Sequence, residues 1–188
     1  MKFIRIYIVF NIISFNIFSQ IDTDNDGIPD YLDNCPNIKN GSSQNGITIA
    51  GNNGLGNNLN QLDRPRGIVL DSIGNLFIAD RQNHRIIKWK SGELEGTIVA
   101  GGNGVGNEPN QLNLPSAITI DNNGNLYIVD EYNHRIQKWE PNATEGITVA
   151  GGNGEGNGSN QLNRPRGIAI DSLGNLYIAD RFNHRIQK

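Results

Sequence analysis

The sequence predicts an all-β protein built from the four-stranded antiparallel blades of a β-propeller. The main observation is a repeat with a period of 50 residues, seen for example in Pro65, Pro115 and Pro165. A period of this length is typical of solenoids and propellers. The chain also contains 23 glycines and many asparagines, which are the residues that tolerate tight turns. No repeat unit contains a helical stretch, so the units are predicted to be all strand and turn.

Each repeat contains four short segments with strand character. In the middle repeat they are residues 115–121, 125–130, 134–140 and 146–152. The links at 122–124 and 131–133 are short enough for hairpins, so neighbouring strands are predicted to pair antiparallel. Four antiparallel strands in each repeat make a propeller blade.

The strands of the middle repeat carry apolar side chains on both faces. Ile118 and Ile128 belong to one row, and Tyr127 and Val129 belong to the opposite row. A sheet that is buried on both faces has this pattern, whereas a sheet with one wet face alternates apolar and polar residues. The repeats are therefore expected to pack against one another face to face.

The number of blades is smaller than a closed propeller needs. Predicted blades span residues 65–101, 115–151 and 165–188, the last without its outer strand, and residues 46–51 are predicted as an outer strand without a blade. Propellers use about four to eight blades. We therefore expect a three-blade fragment of a larger protein. Self-association of two three-blade chains into one ring is the alternative.

Two sequence stretches resemble a known family. Residues 164–171 (RPRGIAID) and 174–188 (GNLYIADRFNHRIQK), with their counterparts in the other repeats, resemble the NHL repeat over residues 46–188. The resemblance implies a β-propeller, commonly with six blades. Some enzymes that resemble NHL proteins, such as amidating lyases and streptogramin lyases, use propeller histidines.

The first residues have the layout of a secretory signal peptide. Lys2 and Arg5 precede an uncharged apolar stretch that ends at the small Ser19, and this arrangement predicts a leader over residues 1–19. We expect a secreted or cell-surface protein with no membrane span after cleavage; an uncleaved anchor is the alternative. Cys35 is the single cysteine, so no disulfide can form within this chain.

An acidic loop follows the leader, in a spacer predicted over residues 20–45. Residues 22–33 (DTDNDGIPDYLD) place carboxylates at alternating positions around Gly27, which is the oxygen-rich spacing that calcium requires. Calcium is therefore the predicted cofactor. The predicted ligands are the side chains of Asp22, Asp24, Asp26 and Asp33, the backbone oxygen of Ile28, and Asp30 directly or through water.

The three residues after the acidic loop extend its sequence pattern. With Asn34, Cys35 and Pro36 it resembles a thrombospondin type 3 repeat, and the resemblance implies calcium binding. A solvated acidic linker without a bound ion is the alternative.

Residues that recur in every blade are predicted to be structural. We expect Asp80 and Asn83 to close a hairpin and His84 and Arg85 to brace it, because repeated units repeat their packing residues. An asymmetric active site needs residues that differ between blades. No catalytic residue is therefore proposed, and the chain is predicted not to be an enzyme.

Residues that differ between blades are the candidates for binding. Arg64 and Arg66 correspond to Leu114 and Ser116 in the middle blade. The two residues after each second strand also differ, being Arg-Gln at 81–82, Glu-Tyr at 131–132 and Arg-Phe at 181–182. Loops on rigid scaffolds carry recognition, and Arg, Tyr and Phe suit contacts with a protein or glycan; neutral surface variation is the alternative. The predicted binding residues are Arg66, Arg81, Gln82, Glu131, Tyr132, Arg166, Arg181 and Phe182.

The leading functional prediction is a secreted, calcium-binding recognition scaffold with an extracellular protein or glycan as partner. A propeller lyase or hydrolase with a metal in the central channel, its site in blades outside this chain, is the alternative. RNA binding is disfavoured because the formal net charge is −3 and export removes the chain from RNA, whereas a phosphate-backbone binder is expected to be basic.

Overall fold

A computed structural model describes residues 46–188. Contacts divide the chain into two units, Met1–Ile47 and Thr48–Lys188, and the account below concerns the second. In this described part of the chain, no helix is long and apolar enough to cross a membrane. Three predictions lie outside the described residues: the leader, the acidic loop and Cys35.

The described unit forms three antiparallel sheets. The first has the order β1-β2-β3-β4, the second β5-β6-β7-β8, and the third β11-β10-β9. The strands are β1 Pro65–Leu70, β2 Leu76–Asp80, β3 Arg85–Trp89, β4 Thr97–Gly101, β5 Pro115–Ile120, β6 Leu126–Asp130, β7 Arg135–Trp139, β8 Ile147–Gly151, β9 Gly167–Ile170, β10 Leu176–Asp180 and β11 Arg185–Gln187. Single 3-10 turns follow β2, β6 and β10, at Arg81–Asn83, Glu131–Asn133 and Arg181–Asn183.

Local turn chemistry explains the first hairpin of each sheet. In the middle sheet, Asp121 accepts hydrogen bonds from the backbone N–H of Asn123 at 2.9 Å and of Asn125 at 2.9 Å, and Gly124 takes a φ of 82°. An aspartate that bonds to backbone two residues ahead and a glycine at positive φ together make a tight reversal. The β5 and β6 strands consequently pair in register, with Ile118 opposite Ile128.

The apolar core lies between neighbouring blades, as predicted. Ile128, which is fully buried, belongs to a cluster that also contains Phe77 and Ile86 of the first blade. Val129 points to the other face and packs with Ile178 of the third blade. The two-faced apolar pattern of the middle blade is thus confirmed. Burial of both faces joins the three blades into one packed stack, since buried apolar surface is the main stabilising term.

The inner strands approach one another closely at their starts. A Cβ on Gly67 would lie 2.7 Å from the Cα of Ala117, so only glycine allows this separation of β1 and β5. The close approach brings the first residues of neighbouring inner strands together.

One predicted strand is wrong. Residues 46–51 form no strand, and they pair with none of the described strands. An outer strand forms by pairing with the third strand of its own sheet, as β4 pairs with β3. Among the described residues, β11 is the third strand that has no outer strand, and this segment does not pair with it. The prediction that the third sheet lacks an outer strand is confirmed.

Candidate functional site

A buried carboxylate organises the end of each blade. Asp130 is completely buried, and its side chain accepts hydrogen bonds from the backbone N–H of Asn113 at 2.6 Å, from Asn133 at 2.8 Å and from Arg135 Nε at 2.7 Å. Asp80 and Asp180 make the corresponding bonds at 2.7 to 2.8 Å. Both oxygens of each carboxylate are thus bonded, which offsets the cost of burying the charge.

The arginine of this network also fixes the preceding loop. Arg135 donates to the backbone oxygens of Asn107 at 2.8 Å, Glu108 at 3.2 Å and Gln111 at 3.1 Å. Arg85 and Arg185 make equivalent bonds. The predicted hairpin closure by aspartate and asparagine is therefore present, and the arginine additionally ties each inter-blade loop to its blade.

The recurring histidines link neighbouring repeats. The backbone N–H of Leu114 donates to His84 Nδ1 at 3.1 Å, and that of Arg164 donates to His134 Nδ1 at 3.2 Å. The prediction that histidine braces its own hairpin was therefore wrong: its ring accepts a bond from the next repeat. Burial lowers the pKa of His84, nearby Arg81 lowers it further and Asp130 partly opposes them, so the neutral, accepting ring is favoured.

The described part of the chain offers no obvious metal centre. Within residues 46–188, no three side chains of His, Cys, Asp or Glu are grouped so that they could hold an ion. The predicted calcium ligands lie outside the described residues: Asp22, Asp24, Asp26, Ile28, Asp30 and Asp33.

The predicted binding residues, which stand at positions that differ between blades, lie at one end of the sheets. Antiparallel pairing places the start of each inner strand beside the end of the second strand, with Pro65 opposite Asp80 and Pro115 opposite Asp130. The residues just after these prolines and the 3-10 turns just after these aspartates therefore share one end. All eight predicted binding residues occupy such positions.

Glu131 lies among three arginines from two other blades. Its carboxylate is 3.4 Å from Arg66 Nη1, 3.3 Å from Arg81 Nη2 and 3.4 Å from Arg166 Nε. The glutamate side chain is only 2% exposed, whereas those of Arg66 and Arg166 are 39% and 38% exposed. A buried negative charge at the base of the cluster thus holds partly exposed guanidinium groups above it.

Aromatic rings flank this charge cluster. The guanidinium of Arg164 lies 4.3 Å from the centre of the Tyr132 ring and 5.8 Å from that of Phe182, and it also donates to the Tyr132 hydroxyl at 3.3 Å. Arg181 lies 4.6 Å from the Phe182 ring, which is 46% exposed as a residue. Guanidinium groups at these distances are held by cation–π attraction.

These side chains form a continuous set, which we call the arginine–aromatic surface. Gln82 belongs to it because its amide oxygen accepts from Arg81 at 3.4 Å. Arg164 was missing from the predicted binding residues. The residue at this position differs between blades, being Arg64, Leu114 or Arg164, and that difference could have indicated it. The arginine–aromatic surface comprises Arg66, Arg81, Gln82, Glu131, Tyr132, Arg164, Arg166, Arg181 and Phe182.

Three segments of the chain match the family described as NHL repeat, at residues 62–89, 112–139 and 162–188. These segments are NHL repeats. Each begins in the loop before an inner strand and includes the Asp–Asn–Arg network described above. A further segment, residues 20–43, matches the thrombospondin type 3 repeat. Both resemblances seen in the sequence are therefore confirmed.

Solved structures confirm the propeller fold. An auxiliary nutrient binding protein from Bacteroides thetaiotaomicron is similar at a TM-score of 0.52 and 22% identity, over 63% of this chain and 35% of that one. A structural genomics protein of unknown function from the same organism has a TM-score of 0.52 and 22% identity, over 65% of this chain and 34% of that one. The chain thus spans about a third of the length of these solved chains.

The comparisons carry no assignment of activity. Virginiamycin B lyase from Staphylococcus aureus is similar at a TM-score of 0.44 and 17% identity, over 69% of this chain and 39% of the lyase. No curated protein is detectably similar in sequence. A similarity of this size carries no argument about activity, so the expectation that the chain is not an enzyme stays a prediction.

Proposed function

We propose that the chain is a secreted recognition scaffold that binds an extracellular macromolecule through the arginine–aromatic surface. One observation carries the proposal: nine residues at positions that differ between blades lie together in one partly exposed group of charged and aromatic side chains. Binding needs side chains that act together on a rigid support. The leader that the sequence predicts over residues 1–19 supports export.

The blades supply the rigidity that recognition requires. The buried networks of Asp80, Asp130 and Asp180 hold the 3-10 turns that carry most of the surface. A preformed site loses less conformational entropy on binding than a mobile loop does. The recurring residues thus act as the support, and the differing residues act as the contacts.

The experiment measures binding of the purified chain to a panel of extracellular polysaccharides and proteins. The binding variant is R164S/F182S. The matched control is I73S/L173S, because Ile73 and Leu173 are 83% and 86% exposed in turns at the opposite end of the sheets. We expect saturable binding of at least one panel member, loss in R164S/F182S and retention in the control. Equal binding by both variants, or no binding by the wild type, contradicts the proposal.

We also propose that the acidic loop is a calcium-binding spacer. The thrombospondin type 3 match over residues 20–43 includes the five aspartates and Ile28 of the predicted ligand set. Calcium takes six to eight oxygen ligands, and carboxylates crowded without a cation repel each other. The donor set therefore suits this ion.

Calorimetric titration of calcium into the purified chain tests the spacer. We expect saturable binding that is lost in D24N/D26N and kept in E95Q/E145Q, which removes two exposed carboxylates from the blades. No binding by the wild type reduces residues 20–45 to a linker. Binding that persists in D24N/D26N excludes the loop as the site.

A further inference from the structure

The arginines of the arginine–aromatic surface have donor capacity that the protein does not use. Arg66 and Arg166 approach opposite oxygens of Glu131 at 3.4 Å, which is long for a charge-assisted bond between guanidinium and carboxylate, usually about 2.7–2.9 Å. Arg135, by contrast, donates to Asp130 at 2.7 Å and to three carbonyl oxygens. A guanidinium carries five N–H donors. Within residues 46–188, Arg66 and Arg166 therefore have several donors without a partner.

Two buried polar atoms nearby also lack a partner. Ser116 occupies the position in the middle blade that arginine holds in the other two, and it is 5% exposed as a residue. Its hydroxyl oxygen, like Arg81 Nε, makes no hydrogen bond within the described residues. Unsatisfied buried polar atoms are uncommon in native proteins, and a bound ligand or ion is one explanation for them. This second observation points to the same place as the exposed guanidiniums.

The charge of the arginine–aromatic surface is strongly unbalanced. Its five arginines face one carboxylate, that of Glu131. The pKa of the Arg66 guanidinium is lowered by burial and by the positive charges of Arg166, Arg81 and Arg181, although Glu131 acts in the opposite direction. Like charges that are held together disfavour the charged form. An anion placed among them would relieve this repulsion.

The composition of the surface fits an acidic polysaccharide better than a protein. Protein interfaces combine arginine with several large apolar and aromatic anchors at their core, whereas this surface has five arginines and a single strongly exposed ring, Phe182. An acidic sugar offers both an oxyanion for the arginines and a C–H face for the ring. The amide of Gln82 adds a donor and an acceptor suited to hydroxyl groups.

We propose that Arg66 and Arg166 bind an oxyanion, carboxylate or sulfate, of an acidic polysaccharide, while buried Glu131 holds the guanidiniums in place and competes with that anion. This inference rests on the proposed function. It assigns opposite roles to neighbouring charges: the arginines contact the ligand, and Glu131 acts as a positioning residue. The competition has a testable consequence, because removal of the internal carboxylate frees donors for the external one.

The experiment measures binding of the purified chain to polygalacturonate, which carries carboxylates, and to dextran sulfate, with neutral dextran as the reference. We expect binding to at least one polyanion, weakening with added salt because screening reduces charge attraction, and none to neutral dextran. The two polyanions distinguish carboxylate from sulfate recognition.

Three variants separate binding from stability. R66Q/R166Q is expected to lower affinity about tenfold or more, since hydrogen bonds to charged groups are strong. K90Q, which removes an exposed charge paired with Glu93 at 3.0 Å beyond the other end of its strand, is expected to bind like the wild type. E131Q is expected to bind the polyanion several-fold more tightly while unfolding at a lower temperature.

The outcomes distinguish the oxyanion site from the more general recognition scaffold. A Glu131 with a merely structural role would lower affinity and stability together in E131Q, and that result overturns the competition. Equal losses in K90Q and R66Q/R166Q overturn the arginine site. Preferred binding of poly-L-glutamate or single-stranded RNA overturns the polysaccharide assignment. Binding of neutral dextran or a protein that is lost in R164S/F182S rejects the oxyanion site and leaves the recognition scaffold standing.

Discussion

Two arginines of neighbouring blades, Arg135 and Arg166, show how one residue type serves two purposes in this molecule. Arg135 is buried and donates hydrogen bonds to Asp130 at 2.7 Å and to three carbonyl oxygens. Arg166 is 38% exposed and meets Glu131 at 3.4 Å. The first arrangement recurs in every blade and the second does not. A guanidinium whose N–H groups are bonded within the blade stabilises the fold, and one whose N–H groups are not bonded there is available to a ligand.

The strongest test of this comparison is the same substitution at both arginines. R135Q leaves Asp130 buried without its cation and is expected to destabilise the chain by about 3–5 kcal/mol, the usual cost of breaking a buried pair. R166Q removes a partly exposed arginine at a long distance and is expected to cost about 1 kcal/mol or less. Urea unfolding measures both free energies. Similar costs would contradict the division into support and contact residues.

Adjacent residues of one 3-10 turn sharpen the comparison at a smaller scale. Asn133 donates to Gly106 O at 2.7 Å and to Asp130 at 2.8 Å, so N133A removes two hydrogen bonds, one of them to the buried Asp130 carboxylate, and is expected to cost about 1–3 kcal/mol. Y132A removes the ring beside Arg164 and is expected to cost about 0.5–1 kcal/mol. Thermal unfolding compares the two variants. A larger loss in Y132A would show that the surface, too, supports the fold.

The histidine link between repeats predicts a modest dependence of stability on pH. Because the pKa of His84 lies below its ordinary value of 6.5 in the folded chain, the unfolded chain takes up the proton first as the pH falls. The contribution of His84 is therefore present in full above pH 6.5 and is lost as the pH falls through the lower folded value.

The pH dependence is checked with a substitution that keeps the backbone. His84 has a φ of 52°, which asparagine tolerates, so H84N removes the titration and is expected to flatten the fall in stability below pH 6.5. H184N makes the same change at the same φ and measures the effect of the backbone substitution. If H84N leaves the pH dependence of stability unchanged, the His84 ring does not contribute to it through the contact between blades.

The strands and turns were predictable because they depend on neighbours in the sequence. The predicted strand over 125–130 became Leu126–Asp130, and the bond between Asn133 and Asp130 spans three residues. The strand predicted over 46–51 was wrong because it needs a distant partner. Comparison of the blades indicated the binding residues, but it did not indicate that Glu131 would contact Arg81 fifty residues earlier.

By itself, the sequence determined the repeat, the hairpins and the Asp–Asn–Arg networks, because turn geometry and short-range hydrogen bonds need only a few consecutive residues. Only the tertiary structure decided that Arg66, Arg81 and Arg166 surround one buried glutamate. Their meeting depends on the spacing of the blades, which is set by the side chains packed between them, such as Ile86 against Ile128 and Val129 against Ile178. Close packing between sheets leaves little freedom in that spacing, and no local rule predicts it.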